Sequence, residues 1–210
     1  MIALPVISLT LLLGGLYTLA ITLSPALTPI DTEELARQLE KPPDSKKNFL
    51  YIEKIGVKVQ VNEIINGDEE SAFLGGSAHR APKSGNPESG SNFVIAAHRF
   101  SLGVTPENTI KRSPLYHIEK LEIGDEFYVD WSGKRYTYDI SEIKTVKPTA
   151  VEIEYPTKDN RLTLYTCSLG GGDKADRVVV VAKPKEITAW SDGGRIASAY
   201  STKFASDTRS

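Results

Sequence analysis

The sequence predicts a mainly β domain that follows one N-terminal membrane-spanning helix. From about residue 48 to residue 185, short apolar or alternating runs are separated by turn residues, a pattern typical of β-barrels and β-sandwiches. Residues 1–30 contain no Asp, Glu, Lys, Arg or His, and the apolar run from Ile2 to Leu23 is long enough to cross a bilayer. The whole chain has 210 residues, of which 40% are hydrophobic and 25% charged, so disordered and collagen-like classes are excluded. Its formal charge of −2 gives no basic surface for nucleic acid.

The N-terminal apolar run is interpreted as an uncleaved anchor over residues 1–28. Two alternatives remain: a cleaved signal peptide, which usually has a shorter apolar core behind a basic segment, and a buried soluble helix. A capping-box-like sequence at Asp31 predicts a short helix that ends before Pro42, so residues 29–47 are expected to form a stalk. The charged residues just after the apolar run, from Asp31 to Lys41, are mostly acidic. They favour a single-pass protein of the cell membrane whose β domain, residues 48–185, is extracellular.

Turn residues and apolar runs together define the elements of the β domain. The predicted strands are residues 49–55, 57–61, 93–97, 126–131, 134–143, 161–167 and 177–182. Ser132 and Gly133 predict a two-residue hairpin turn between two of them. Short helices are expected at residues 68–74 and at 113–121, where Ser113 would cap the helix and Pro114 would occupy its first position.

The C-terminal residues 186–210 are rich in Ser, Ala and Gly. Such a segment has little apolar surface with which to offset the entropy of ordering, so a flexible tail is expected. Docking of Trp190 on the β domain is the alternative.

Cys167 is the only cysteine, so the chain has no intramolecular disulfide. It ends the apolar run that begins at Arg161 and is followed by a glycine-rich segment. A thiol at such a junction is held by a rigid strand and can still reach solvent, as a catalytic nucleophile must. A small buried hydrophobic residue is the alternative interpretation.

Two further reactive side chains lie at the ends of apolar runs. His98 follows the run from Phe93 to Ala97, and its imidazole could act as an acid or a base near neutral pH. Arg177 begins the run that follows Cys167 along the chain, so neighbouring strands would bring the two to the same end of a sheet. A guanidinium there could favour a thiolate and stabilise an oxyanion. Each residue alone also fits a purely structural role.

These residues resemble the signature of a known family. The sequence Thr-Leu-Tyr-Thr-Cys at residues 163–167 resembles the TLxTC motif of sortases, the membrane-anchored cysteine transpeptidases of mainly Gram-positive bacteria. The sequence Ala-His-Arg at residues 97–99 resembles their histidine motif, and the order His, Cys, Arg along the chain is the same. Further similarity over about residues 48–185 includes Leu-Glu-Ile-Gly-Asp at 121–125 and Val-Lys-Pro at 146–148.

The resemblance implies an eight-stranded sortase β-barrel and a role for each matching residue. Cys167 would attack the threonine carbonyl of an LPxTG-like sorting signal, His98 would be the general acid and base, and Arg177 would hold the scissile carbonyl or the oxyanion. Thr166 and Ala97 would belong to the substrate-binding part of the site. The partners would be sorting signals of secreted proteins and an amine acceptor of the cell wall or of a pilin.

The sequence departs from the family pattern at several positions. Ala97 replaces the usual glycine before the histidine. Residues 77–88 contain one acidic residue, so no calcium or other metal site and no cofactor are expected. The Asp-Pro-aromatic lid motif of many pilin-polymerising members is absent from residues 30–48. A hydrolytic cysteine peptidase on the same scaffold and a catalytically inert surface-binding module remain as rival interpretations.

Overall fold

A computed structural model describes residues 3–65, 67–74, 76–170, 174–191 and 194–199. The helices are α1 (Ala3–Leu27), α2 (Thr32–Leu39), α3 (Glu69–Leu74) and α4 (Pro106–Arg112), with short 3-10 turns at Glu53–Ile55, Ile118–Lys120 and Val151–Glu154. The strands are β1 (Phe49–Ile52), β2 (Val57–Glu63), β3 (Gly76–His79), β4 (Gly85–Asn86), β5 (Gly90–Ala97), β6 (Glu126–Trp131), β7 (Lys134–Val146), β8 (Arg161–Cys167), β9 (Arg177–Ser191) and β10 (Gly194–Ala199).

Eight of these strands close into a barrel. The order of hydrogen-bonded neighbours is β9, β7, β6, β1, β2, β3, β5 and β8, and β8 then pairs with β9 to complete the ring. Closure removes the free edges that an open sheet would expose. The β2–β3 and β5–β8 pairs are parallel, and the remaining pairs of the ring are antiparallel. The predicted mainly β, eight-stranded barrel is therefore confirmed.

Alternate residues of the barrel strands point inward and form the hydrophobic core. Strands β5, β8 and β9, which carry the candidate site, contribute Phe93, Ile95, Ala97, Leu162, Leu164, Val180 and Ala182. Because successive side chains of a strand point to opposite faces, the residues between them lie on the outer face of the barrel. Leu115 and Ile118, from the connection after α4, close the same core.

Local turn chemistry explains the shape of the β6–β7 hairpin. Trp131 pairs with Lys134, and the two residues between them, Ser132 and Gly133, both have positive φ (50° and 78°). Two consecutive positive φ values match the twist of a tight antiparallel hairpin. The predicted two-residue turn is confirmed.

One predicted helix is wrong. The chain forms α4 at Pro106–Arg112, with Thr105 as the N-cap, whereas Ser113 ends that helix. The Ser113 hydroxyl accepts a hydrogen bond from the Ser101 N–H (3.0 Å), so it does not cap a helix over 113–121. Residues 118–120 form a single 3-10 turn there. The helix predicted at 68–74 is present as α3.

The expected flexible tail is also wrong for the residues that the structure describes. Strand β9 continues to Ser191, and β10 pairs with it in antiparallel register from Gly194↔Ser191 to Ala199↔Glu186. The Trp190 ring stacks on the Arg135 guanidinium at 5.2 Å, which is the docking that the sequence left as an alternative. Backbone pairing orders this Ser- and Ala-rich segment without requiring large apolar side chains. Residues 200–210 lie outside the described residues.

The N-terminal residues form two helices, α1 and α2. Within α1, Val6–Leu27 is apolar and long enough to cross a membrane, and its side chains are mostly exposed. Helix α2 begins after Asp31, whose carboxylate accepts from the Glu34 N–H at 3.0 Å. Leu39 is the last residue of α2, and its carbonyl accepts a hydrogen bond from the Arg135 guanidinium. This bond links α2 to strand β7 of the barrel.

Candidate active site

Cys167 and Arg177 lie opposite each other at one end of the barrel. Cys167 is the last residue of β8, Arg177 is the first residue of β9, and they are register partners in an antiparallel ladder. The Ser168 N–H donates to the Asp176 carbonyl at 2.7 Å, so the ladder contact continues one step beyond the pair. Directly opposite residues in such a ladder have Cβ atoms about 5 Å apart. The two side chains thus start from directly opposite positions at the same end of the sheet, as the spacing predicted.

His98 lies at the same end, on the other side of β8. Strand β5 runs parallel to β8, with Ala96 opposite Tyr165. The Thr166 hydroxyl donates to the Ala97 carbonyl at 2.7 Å and extends this connection to the end of the strands. Continuing the register by two residues from Ala96 and Tyr165 brings His98 level with Cys167. The histidine and the arginine therefore follow strands that flank the cysteine strand.

All three residues lie on the outer face of the barrel. Ala97, Leu164 and Val180 belong to the inward set of β5, β8 and β9. Because side chains alternate along a strand, His98, Cys167 and Arg177 belong to the outward set. Each is partly exposed. A substrate can approach this face without entering the core.

The surroundings of His98 keep its imidazole neutral. Burial and, to a smaller extent, the positive charge of Arg112 lower the pKa of His98 below its usual value of 6.5. The Phe73 ring lies 5.0 Å from the imidazole, centroid to centroid, and supplies apolar surface beside it. The His98 carbonyl accepts from the Leu115 N–H at 3.2 Å, which holds the backbone. A neutral imidazole near neutral pH can accept a proton from a thiol.

Arg177 is held by its own loop and borders a small cavity. Its Nη1 donates to the Ala175 carbonyl at 2.6 Å. A guanidinium has five N–H donors in a fixed fork, so one anchored nitrogen orients the rest. The cavity has a volume of about 160 Å³, and its lining consists of Arg80, Pro148, Ala150, Val151, Ile153, Glu154, Tyr165 and Arg177. A polar wall and an apolar wall thus meet beside the arginine.

The comparisons with known proteins identify the family. A family model described as "Sortase domain" matches residues 50–185. The chain belongs to the sortase family. Sortase A of Streptococcus agalactiae is 33% identical over 116 residues, which cover 54% of this chain and 44% of that protein. The chain therefore matches less than half the length of this curated relative.

Solved sortase structures share the fold. Sortase A of Listeria monocytogenes superposes with a TM-score of 0.53 at 21% identity, covering 75% of this chain and 92% of that chain. Sortase E1 of Streptomyces coelicolor, solved with a tripeptide in its active site, gives a TM-score of 0.53 at 25% identity, covering 67% of this chain and 88% of that chain. The family is one of membrane-anchored cysteine transpeptidases, and cell-wall anchoring is consistent with it.

A polar network that the sequence does not predict lies near the cysteine of this sortase. Tyr165 is on the outward face of β8, two residues before Cys167, and its hydroxyl hydrogen-bonds to the Glu154 carboxylate. The same carboxylate accepts from Arg80 Nε at 3.2 Å, and Arg80 Nη1 lies 2.5 Å from Glu69. Burial, helped by Glu154, raises the pKa of Tyr165 above its usual range, so the phenol stays protonated. The network connects α3, the residue that follows β3, the Val151–Glu154 turn and β8.

Alternation along β8 could have placed Tyr165 on the same face as Cys167. Nothing in the sequence pairs Tyr165 with Glu154 or Arg80, which are 11 and 85 positions away.

Thr166 and Ala97 have buried side chains in this sortase. Their exposed fractions are 2% and 4%, and the Ala97 methyl lies in the core. Their contribution to the site that the structure describes is the hydrogen bond between β5 and β8. Substrate contact by either residue stays a prediction. Among the described residues, no group of three or more His, Cys, Asp or Glu is arranged to hold a metal ion.

Proposed function

We propose that this sortase cleaves an LPxTG-like sorting signal through a thioacyl-enzyme on Cys167 and transfers the acyl group to an amine. The observation that carries the proposal is the register of three strand ends. Cys167 and Arg177 are direct partners, and the strand that leads to His98 runs beside the cysteine strand. A nucleophile, a base and a cationic donor on one exposed face are the groups that acyl transfer requires.

In the first half of the reaction, His98 accepts the proton of the Cys167 thiol. The thiolate attacks the threonine carbonyl carbon, and the carbonyl oxygen becomes an oxyanion. Arg177 donates to that oxyanion. The amide C–N bond then breaks, His98 returns the proton to the leaving amine, and a thioester remains on Cys167. The lowered pKa of His98 favours the neutral imidazole with which this sequence begins.

In the second half, an amine attacks the thioester. His98 accepts a proton from the incoming nitrogen, the C–S bond breaks, and the proton returns to the Cys167 sulfur. The product is a new amide, and the enzyme is restored. The acceptor amine belongs to a cell-wall precursor or to a pilin lysine, and water would compete with it.

The cavity beside Arg177 supports a place for apolar residues of the sorting signal. Val151 and Ile153 contribute apolar surface to its lining, and Arg177 contributes a polar group. A groove with one apolar wall suits the leucine and proline of such a signal, and the arginine suits its scissile carbonyl. The tripeptide in the active site of the Streptomyces coelicolor sortase E1 supports peptide binding as the general mode.

The proposed enzyme is anchored to the cell membrane by its N-terminal helix. Residues 1–28, which include α1, would span the cell membrane once, and residues 29–47 would form the stalk. Residues 48–185 would form the extracellular catalytic domain, and the β9–β10 hairpin extends this domain beyond residue 185. An anchored transpeptidase meets secreted substrates as they leave the membrane.

The test uses the full chain with a panel of LPxTG-like peptides, an amine acceptor and mass spectrometry. We expect an acyl adduct on Cys167 and an amide product that contains the added amine. In Cys167→Ala, turnover should fall by about 10⁴-fold or more, because the covalent route is lost. His98→Ala should lose about 10²- to 10⁴-fold, as expected for removing an acid–base group.

Arg161→Ala is the matched control. Arg161 begins the same strand at the far end and pairs with Asp159 at 2.5 Å, so its loss should leave turnover unchanged. Product formation that is insensitive to the amine would favour the hydrolytic peptidase. The absence of any adduct, together with unchanged behaviour of Cys167→Ala, would favour the inert binding module.

A further inference from the structure

The segment that follows His98 lies along helix α1. The Tyr17 hydroxyl donates to the Val104 carbonyl at 2.9 Å, and the Ser24 hydroxyl donates to the Pro106 carbonyl at 3.2 Å. Tyr17 and Ser24 are seven residues apart, so they are about 10 Å apart along the helix axis. Val104 and Pro106 therefore contact α1 at two points about two helical turns apart.

This segment exposes apolar side chains. Phe100, Leu102 and Val104 are 38%, 52% and 79% exposed, and no residue from Phe100 to Pro106 has an ionisable side chain. Leu16 and Leu19, which lie within two residues of Tyr17 on α1, are exposed as well. Because Tyr17 hydrogen-bonds to Val104, exposed apolar side chains of α1 and of this segment occur close together, and such a grouping marks an interaction site. Its lack of charge favours a hydrocarbon environment over a charged peptide.

The backbone of the segment has internal hydrogen-bond partners. The Ser101 N–H donates to Ser113 Oγ at 3.0 Å, and the Gly103 N–H donates to Thr109 Oγ1 at 2.9 Å. Thr109 and Ser113 are buried, and the Thr105 carbonyl accepts from the Thr109 N–H at 2.9 Å. Non-helical backbone is tolerated at membrane depth only when protein satisfies its polar groups. The N–H groups of Ser101 and Gly103 are thus paired within the protein, while Phe100, Leu102 and Val104 expose apolar side chains.

We propose that residues 100–105 insert into the lipid bilayer beside α1, as a second membrane contact of the catalytic domain. The proposal rests on the anchoring role proposed for α1, and the continuity of the two apolar surfaces commits the occupant to lipid. Because Phe100 follows His98 by two residues, the contact also fixes how the catalytic face is oriented to the membrane. The sorting signal would then have to reach Cys167 close to the lipid surface.

The experiment places a single fluorescent reporter on the full-length chain in phosphatidylcholine–phosphatidylglycerol vesicles. In a Cys167→Ser background, Leu102→Cys and, separately, Val104→Cys are labelled with an environment-sensitive dye. Nitroxide-bearing lipids then measure contact with the acyl chains. We expect a blue-shifted emission at both positions and quenching several times stronger than at a control position.

The control position is Ile196, which is 56% exposed on β10. Ile196 pairs with Ala189, near the end of β9 that lies opposite Arg177. Ile196→Cys should therefore report water. Leu12→Cys on α1 tests the anchor itself.

Quenching at Leu12 without quenching at 102 and 104 would overturn the loop contact and leave the anchor intact. A lack of quenching at all three positions would overturn both proposals. Blue-shifted but unquenched dyes at 102 and 104 would indicate a protein partner or a second copy of the chain, and would overturn the lipid contact.

Discussion

Two arginines near opposite ends of β9 differ in how many contacts their guanidinium groups make. Arg135 on β7 pairs with Thr188, about 35 Å along the strand from Arg177. Arg135 is buried and makes a bidentate ion pair with Asp130, with Nε–Oδ1 at 2.6 Å and Nη2–Oδ2 at 2.8 Å. Arg177 is partly exposed, and among the described residues its guanidinium donates to the Ala175 carbonyl.

The difference lies in how the donors are used. The Arg135 guanidinium also donates to the Leu39 carbonyl and stacks between the rings of Tyr51 and Trp190, at 5.3 and 5.2 Å. Arg135 on β7 therefore contacts residues of α2, β1, β6 and β9 at the same time. Arg177 is oriented by one contact and faces a cavity. A fully engaged guanidinium holds structure, whereas an oriented and partly exposed one can hold a ligand.

The largest effect should come from breaking the structural pair. Asp130→Asn leaves the Arg135 charge buried without its carboxylate, so the free energy of unfolding should fall by about 3–5 kcal/mol. Chemical denaturation measures this loss. The kcat/KM of the molecules that remain folded should match the unmodified chain, because Asp130 lies far from Cys167.

The control for this variant is Glu142→Gln, which removes an exposed ion pair with Lys144. Exposed pairs contribute little, so its stability should barely change. Equal stability of the two variants would contradict a structural role for the buried pair.

The next largest effect should come from Arg177, which we propose as the oxyanion donor. In that role Arg177→Ala would remove a donor to the developing oxyanion, so kcat should fall by about 10²- to 10³-fold. Arg177→Lys keeps the charge without the planar fork and should recover only part of this loss. Single-turnover measurement of the acyl adduct on Cys167 reports this step directly. The free energy of unfolding should change little in both variants, and a large loss of stability would make Arg177 a second structural arginine.

Most of the barrel strands, and the positions of His98, Cys167 and Arg177 at strand ends, were predictable from the sequence because both signals are local. Alternating runs placed β6, β7 and β8 within a few residues, and the motif at 163–167 drew attention to Cys167. Strand β3 was missed because four residues, Gly-Ser-Ala-His, carry too little pattern to indicate a strand. Strand β10 was missed because it is held by backbone pairing to β9, which composition does not record.

The helix predicted at 113–121 was wrong, and the network of Tyr165, Glu154 and Arg80 was missed, for a different reason: both depend on contacts between distant parts of the chain. Thr105-Pro106 and Ser113-Pro114 both have the cap-then-proline signature, and only a distant contact with Ser101 decides between them. Likewise, Glu154 meets Tyr165 and Arg80 only after the barrel closes. When two sequences carry the same helix-start signal, local propensity does not show which of them becomes a helix, because tertiary contacts decide.

A smaller effect should follow from the hydrogen bond that joins the histidine and cysteine strands. Thr166→Val keeps the side-chain shape but leaves the buried Ala97 carbonyl without that donor, so the free energy of unfolding should fall by about 1–3 kcal/mol. Turnover should also fall, because the bond sets the spacing of β5 and β8 next to His98 and Cys167.

Thr163→Val is the matched control. Its hydroxyl donates to Asn92 Oδ1 at 2.6 Å, on the same two strands but farther from the site. It should lose similar stability and keep its turnover per folded molecule. If Thr166→Val also kept full turnover, Thr166 would be a structural residue alone.

The smallest effect should distinguish the two causes of the lowered His98 pKa, burial and the charge of Arg112. The positive charge of Arg112 opposes protonation of the imidazole and thereby lowers its pKa, so Arg112→Gln should raise that pKa. The acidic limb of the kcat/KM profile reports the protonation of the free enzyme's base and should move to higher pH. Lys111→Gln removes the same charge from the adjacent position of α4 and should leave the profile in place. Because burial is the larger cause, the limb of Arg112→Gln should still lie below the usual histidine value. An unshifted profile would assign the lowered pKa to burial alone.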